Sequence, residues 1–189
     1  MIFVTVGTQL PFDRLVRQVD LWAAKRGRKD VFAQIGPTQW KPEHIEWVNE
    51  LSPERFQELF EKADAIVAHA GMGTIISALE YAKPLVIMPR LARYREQRND
   101  HQIATARRFG GINGVRVADD ESMLMDALDR LDELKPTRQV PSQAHAQLLD
   151  ALRRFVNGSQ TLVTPAGGRL AMSPDNHAQA STPLEVGKV

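Results

Sequence analysis

The segment richest in possible chemistry runs from His69 to Thr74 and reads His-Ala-Gly-Met-Gly-Thr. Gly71 and Gly73 have no Cβ, so backbone N–H groups here can approach a ligand closely. The helix that follows adds unpaired amides and the positive end of its dipole, which together suit a diphosphate. Thr74 either caps that helix or binds a phosphate oxygen. The alternative is a plain strand-to-helix turn in which His69 is structural.

A second polar cluster begins the next run of helical periodicity, with amide, carboxylate, imidazole and amide side chains in succession: Asn99, Asp100, His101 and Gln102. Such a set supplies both the donors and the acceptors that sugar hydroxyls need. The alternative is that Asn99 or Asp100 simply caps the helix. The preceding loop is basic and contains Arg90, Arg93, Arg95 and Arg98. It is interpreted either as a solvated loop or as a contact for a diphosphate or a phospholipid.

The elements that must position these groups are short apolar runs alternating with longer amphipathic ones. Strands are predicted at 2–6, 31–36, 44–48, 65–71, 85–89 and 114–118. Helices are predicted at 12–27, 53–62 (capped by Ser52), 74–82, 99–109, 121–131 and 142–156. This alternation predicts an α/β fold, a Rossmann-like doubly wound parallel sheet of six strands covered on both faces. Ligands of such sheets bind outside the carboxyl ends of the strands, where the strand order reverses.

The amino-acid composition argues against several classes of function. Among 189 residues, 24 Lys and Arg nearly balance 23 Asp and Glu, and this weighs against nucleic-acid binding. Without cysteine, disulfides and thiolate metal sites are excluded, as expected for a reducing, cytoplasmic setting. No signal peptide or membrane-spanning run is recognisable. Asp119-Asp120 is interpreted as a turn and helix cap, so neither a metal nor another cofactor is expected.

The composition changes near Asn157. From there to Val189 the chain has no aromatic residue and is rich in Gly, Pro, Ser, Thr and Ala. Such a segment buries too little apolar surface to offset its loss of conformational entropy. The sequence therefore predicts one domain over 1–156 and a flexible tail over 157–189. Within the domain, Val19, Leu21 and Trp22 are expected to form core or subunit contacts.

Together the two polar segments resemble a known family. HAGMGTIISALEYAKPLVIMPR (69–90), followed by NDHQ (99–102), is similar to the donor-binding C-terminal domain of family-28 glycosyltransferases. The opening MIFVTVGTQLPFDRLV resembles the soluble catalytic subunits of two-part transferases, which act in exopolysaccharide or dolichol-linked sugar synthesis. The resemblance extends over residues 1–150 and implies the C-terminal half of a GT-B fold.

The resemblance also implies roles for residues. The turn of Gly71, Met72, Gly73 and Thr74 would contact the diphosphate of a UDP-sugar donor, and His101 and Gln102 would contact its hexose. Ser77 stands where many relatives have a glutamate that holds the ribose. The remaining residues of the implied donor site are Gly7, Thr8, Gln9, Arg90, Asn99 and Asp100.

The implied reaction is inverting transfer, in which a base deprotonates an acceptor hydroxyl that attacks the anomeric carbon as UDP leaves. Asp13, His69 and His101 are the candidate bases, unless a partner supplies the base. Since the chain starts at the first strand and its tail is poor in apolar residues, we expect a membrane-anchored subunit to bind the lipid-linked saccharide acceptor. The chain would then be cytoplasmic and peripheral at the inner face of the membrane through that partner.

Two other functions compete with this one. The first is a non-catalytic nucleotide-sugar-binding or scaffold subunit, favoured by Ser77 in place of the usual acid. The second is an NAD-dependent Rossmann enzyme, which is disfavoured because the first turn, GTQLPF, lacks the GxGxxG pattern.

Overall fold

Strands and helices alternate along residues 1–136, the part of the chain that the computed structural model describes. The strands are β1 (Ile2–Thr5), β2 (Val31–Gln34), β3 (Glu46–Val48), β4 (Ala65–His69), β5 (Leu85–Met88) and β6 (Val115–Val117). The helices are α1 (Asp13–Arg26), α2 (Pro53–Lys62), α3 (Met72–Glu80), α4 (His101–Phe109) and α5 (Glu121–Asp129). Short 3₁₀ turns follow at Ala92–Tyr94 and Leu131–Glu133. The predicted helix 142–156, the domain boundary at 156 and the predicted tail lie outside the described residues.

The six strands form one parallel sheet in the order β3-β2-β1-β4-β5-β6. In register, Thr5 at the end of β1 lies between Gln34 of β2 and Ala68 of β4. The chain winds outward in both directions from β1 and β4, so the strand order reverses between these two. The prediction of a doubly wound α/β fold is confirmed, and it places the loops after β1 and β4 at the switch point.

Each face of the sheet carries its own apolar core. Because successive strand residues point to opposite faces, Val4 belongs to the core beneath α1 and α5, and Phe3 to the core beneath α2, α3 and α4. All four residues of β1 and of β5 are consequently buried, as is typical of parallel strands covered on both sides. The double cover makes the sheet a rigid base for the loops at its carboxyl edge.

Packing of α1 on α5 tests the expected contacts of α1. Val19 and Trp22 are buried, and the indole N–H of Trp22 donates to Asp129 Oδ1 at 2.9 Å. Arg26 also donates to both carboxylate oxygens of Asp129. Leu21 was expected beside them but is 56% exposed, because it points away from the sheet on the opposite side of α1. A core role for Leu21 is therefore wrong, and a subunit contact stays a prediction.

Helix starts follow the expected capping chemistry in two cases and depart from it in two. Ser52 caps α2, and Asp120 caps α5 by accepting from the Met123 N–H at 2.8 Å. Helix α3 begins at Met72, two residues earlier than predicted, because Gly71 takes the N-cap position with extended dihedrals. Thr74 is therefore the third helical residue and not the cap. At α4, Asp100 occupies the N-cap position without a capping side-chain hydrogen bond.

Candidate functional site

The loops that follow β1 and β4 meet around the imidazole of His69. A Cβ added at Gly71 would overlap Nε2 of that ring, and one added at Gly7 would lie 2.9 Å from its Cε1. Gly7 also has φ +77°, a left-handed conformation that suits glycine. The ring therefore fills the space between the two loops, and the two glycines make that close approach possible.

The segment Gly71–Thr74, called the glycine turn below, presents unpaired amides. The first helical hydrogen bond of α3 runs from the Ile75 N–H to the Gly71 carbonyl at 3.1 Å. The N–H groups of Met72, Gly73 and Thr74 consequently have no acceptor among residues 1–136. Space is open above them, because a Cβ at Gly73 would meet nothing within 4 Å and Met72 is 49% exposed. The turn is shaped and polarised to receive an anion.

His69 is held as a neutral imidazole. Burial and, to a smaller extent, the positive charge of Arg90 lower its pKa to about 4, while the Thr5 backbone opposes the fall. Its Nδ1 is buried and has no hydrogen-bond partner among the described residues. At neutral pH the ring thus adds no charge to the crevice.

A polar network beneath the first loop was missed by the sequence analysis. Thr5 donates through its hydroxyl to Gln34 Oε1 at 2.7 Å, and the Gln34 amide donates to the carbonyls of Gly7 (3.0 Å) and Asn49 (3.1 Å). The sequence did contain a signal for this network, because Gln34 is a polar amide at the end of the otherwise apolar strand β2. These bonds fix the backbone from which the exposed Thr8 and Gln9 project at the same sheet edge.

Arg90 departs from the expectation of a solvated basic loop. It is 3% exposed, and its guanidinium donates to four backbone carbonyls, those of Val6, Leu10, Pro11 and Glu96. The expectation failed because an arginine directly after a buried strand was treated like its neighbours. Arg93, Arg95 and Arg98 are exposed as expected.

The polar cluster at 99–102 divides between the interior and the surface. Gln102 is buried, and its Oε1 accepts from the Arg90 N–H at 3.1 Å. Asp100 accepts from the Ala92 N–H at 2.8 Å and so pins the 3₁₀ turn. Asn99 accepts from the backbone N–H of His101, whose exposed ring also contacts the Asn99 side chain. The cluster therefore contributes more to loop architecture than its side-chain chemistry suggested.

An open cavity of about 230 Å³ lies beside this cluster. It is bounded by the residues after β5, by α4 and by the residue pair after β6, and its walls include Pro89, Leu91, Arg93, Asp100, Arg107 and Asp119. Two arginines and two aspartates give it a mixed charge.

The candidate bases lie on three different elements. Asp13 is the first residue of α1, and its Oδ1 accepts from the hydroxyl of Thr38 at 2.6 Å, a partner that the sequence did not indicate. His69 ends β4 and His101 begins α4. Ser77, half-buried on α3, makes no side-chain hydrogen bond with the described residues.

Two kinds of feature are absent from residues 1–136. No group of three histidine or acidic side chains is placed to hold a metal ion. None of the described helices has both the length and the apolar character needed to cross a membrane.

Comparison with known proteins gives one family and a set of related folds. Residues 1–158 match the model of the glycosyltransferase family 28 C-terminal domain. Among solved structures, the solution structure of ALG13 is 18% identical with a TM-score of 0.54 and covers 82% of this chain and 93% of its own. The glycotransferase of kitacinnamycin is 22% identical, also with a TM-score of 0.54, and covers 84% of this chain.

These likenesses are of the fold alone, and they differ in extent. The chain spans 39% of the kitacinnamycin glycotransferase but nearly the whole of the ALG13 structure. Together with the family match, they identify the sheet as a C-terminal domain of the GT-B fold.

Proposed function

The chain belongs to glycosyltransferase family 28, and on that premise we propose that it is the donor-binding catalytic subunit of an inverting UDP-sugar glycosyltransferase. The observation that carries the proposal is the glycine turn. Three unpaired amides, the positive end of α3 and open space at Gly73 coincide at the switch point of the sheet. Each of these features favours a diphosphate, and the family is one of sugar transfer.

The turn would act on the leaving group. As the bond to the anomeric carbon breaks, negative charge grows on the UDP diphosphate, and fixed amides stabilise that charge without reorganising. Neutral His69, packed against the turn, adds no positive charge and takes up a proton poorly at pH 7, since its pKa is about 4. In this proposal His69 positions the turn, and the base that deprotonates the acceptor is Asp13, His101 or a partner's residue.

The acceptor half of the cleft is assigned to a second polypeptide. The described residues form one doubly wound sheet, and the space around Gly73 of the glycine turn is open. We propose that a membrane-anchored subunit covers it and supplies a lipid-linked saccharide, in exopolysaccharide assembly at the cytoplasmic face of the membrane. Support comes from the resemblance of the first sixteen residues to the soluble catalytic subunits of two-part transferases.

Donor binding is tested by calorimetry on the purified chain with UDP, UDP-glucose, UDP-N-acetylglucosamine, UDP-glucuronate and, as a control, the dinucleotide NAD. We expect micromolar to millimolar binding of UDP and at least one UDP-sugar, and none of NAD. Binding of NAD in preference to every UDP compound would overturn the proposal.

Catalysis requires a second experiment. The chain is co-purified with a membrane-anchored partner, and UDP release is followed over the same donor panel. We expect release only when the partner and its lipid-linked acceptor are present. Binding of the donor without any release of UDP by the reconstituted pair would favour the non-catalytic subunit. Ser77 supports that alternative, because many relatives have at this position a carboxylate that holds the ribose.

A further inference from the structure

The loops after β1 and β5 are joined by a buried charged cluster, Arg14, Arg90 and Glu96, called the arginine cluster below. Arg90 leaves the end of β5 and donates to three carbonyls of the loop after β1, those of Val6 (2.7 Å), Leu10 (2.6 Å) and Pro11 (2.6 Å). It also donates to the Glu96 carbonyl at 3.1 Å within its own loop. One side chain thus fixes two loops that are more than 75 residues apart in sequence.

Glu96 and Arg14 complete the connection. Both oxygens of Glu96 accept from Arg14, at 2.8 and 2.9 Å, and one of them also accepts from the Leu91 N–H at 2.9 Å. A further Arg14 bond reaches the Pro89 carbonyl at 2.9 Å. Charge-assisted, two-point bonds of this kind hold orientation as well as distance. The cluster therefore ties α1, the end of β5 and the 91–96 segment into one unit.

Both arginines contact the same aromatic ring. The guanidinium carbons of Arg90 and Arg14 are 4.8 and 5.3 Å from the centre of the Phe12 ring, which is fully buried. Burial lowers the pKa of Arg90 to about 10, and Glu96 opposes the fall, so the guanidinium stays charged at neutral pH. Four accepting carbonyls and one buried carboxylate are the environment such a charge needs.

The cluster is adjacent to the proposed donor site on two sides. The loop after β1 that the Arg90 guanidinium holds contains Gly7, which packs against His69. In the loop after β5, the same guanidinium donates to the Glu96 carbonyl, and the backbone N–H of Arg90 donates to Gln102. The walls on both sides of the glycine turn therefore depend on one buried cation.

We propose that the arginine cluster is a positioning device for the nucleotide, which sets the loops 6–11 and 90–96 before the ligand arrives. Arg90 is its central positioning residue and does not itself touch the ligand. The inference rests on the proposed donor-binding function and adds to it the residues that preorganise the crevice. Preorganisation matters because a displacement of about 1 Å in a site can cost on the order of a hundredfold in rate.

The test uses the full chain, UDP as the probe, and two readouts. The variants are Arg90→Met, Arg90→Lys and Glu96→Gln, with Arg26→Met as the control because Arg26 makes a two-point ion pair with Asp129 away from the crevice. We expect Arg90→Met to weaken UDP at least tenfold. Arg90→Lys should recover part of the loss, since an ammonium can serve some of the four carbonyls. Arg26→Met should leave the affinity unchanged.

Hydrogen exchange distinguishes loss of loop positioning from a general loss of stability. We expect amides of 6–12 and 90–96 to exchange at least tenfold faster in Arg90→Met, with β1, β4 and β5 unchanged. Uniformly faster exchange across the sheet, or unaltered UDP affinity of the folded variant, would overturn the proposal.

Two complications are covered by the design. Should Arg90→Met not fold, Glu96→Gln serves instead, because its amide oxygen still accepts from Leu91 while the charge facing Arg14 is lost. About threefold weaker UDP binding and faster exchange confined to 90–96 are then expected, and an unchanged variant counts against the cluster.

If the wild-type chain binds no UDP, the proposed donor binding is wrong, and the exchange pattern alone decides whether the cluster fixes the loops.

Discussion

The glycine turn and the arginine cluster lie at the ends of neighbouring strands, yet they treat their polar groups in opposite ways. At the turn, three amides are left without acceptors among the described residues, and the space above Gly73 is open. In the cluster, the Arg90 guanidinium donates to four backbone carbonyls, those of Val6, Leu10, Pro11 and Glu96. The difference favours the glycine turn as the proposed binding surface, because its hydrogen-bonding capacity is unused, whereas the hydrogen bonds of Arg90 are spent on the backbone.

The largest expected effect is on UDP affinity, from a substitution in the glycine turn. Gly73→Asp places a carboxylate where the diphosphate is proposed to lie, and like charges about 4 Å apart repel by about 4 kcal/mol at an effective dielectric constant near 20. We expect UDP affinity to fall roughly a thousandfold in calorimetry. Stability should not fall, because an acid in the first turn of α3 favours the helix dipole by about 0.5 kcal/mol.

Gly73→Ala is the matched control for that substitution. Its Cβ meets nothing within 4 Å, so the fold should be unchanged and UDP binding should weaken no more than a few-fold. Equal affinities of the alanine and aspartate variants would mean that no anion binds at this turn.

The next effect concerns the other glycine of the same turn. Gly71→Ala should destabilise the protein by about 2–3 kcal/mol in chemical denaturation, because the new Cβ overlaps His69, which is confined by Gly7. The double variant Gly71→Ala with His69→Ala should recover most of that loss. If the double variant instead loses as much stability as the two single variants lose together, the ring and the glycine are not coupled.

A smaller effect is the pH dependence that His69 confers. The unfolded histidine takes up a proton near pH 6.5 and the folded one only near pH 4, so acidification through this window favours the unfolded chain. We expect His69 to account for about 2 kcal/mol of the stability lost between pH 7 and pH 4. Denaturation midpoints across this range should fall less steeply with falling pH in His69→Gln than in wild type.

The smallest effect separates the sugar from the nucleotide. Gln102→Ala removes the acceptor of the Arg90 N–H and should cost about 1 kcal/mol of stability. In calorimetry it should weaken a UDP-sugar several-fold more than UDP alone. An equal loss for both ligands would mean that Gln102 acts through the loop and not on the hexose.

Much of this architecture was predictable from local patterns. Apolar runs such as Leu85–Met88 and the caps Ser52 and Asp120 carry their own signal, since burial on both faces and first-turn hydrogen bonds depend on neighbouring residues. The place of the glycine turn was also predictable, because Gly71 and Gly73 stand between a buried strand and a helix, whereas its role as a diphosphate site stays a prediction.

The parts that escaped prediction depend on residues distant in sequence. Nothing local shows that Arg90 is buried, since its carbonyl partners at Val6, Leu10 and Pro11 are supplied by the loop after β1. The same holds for Asp13, whose partner Thr38 follows another strand. The start of α3 moved because Gly71 adopts the N-cap position, which its residue type permits but does not require.

The bond from Arg90 to the carbonyl of Val6 spans 84 positions of the chain. A polypeptide emerging from the ribosome therefore has no assembled crevice until β5 has been made and has inserted beside β4. Under the proposed function, donor binding thus requires synthesis of the chain through β5, and truncated products that end before β5 are expected not to bind the donor.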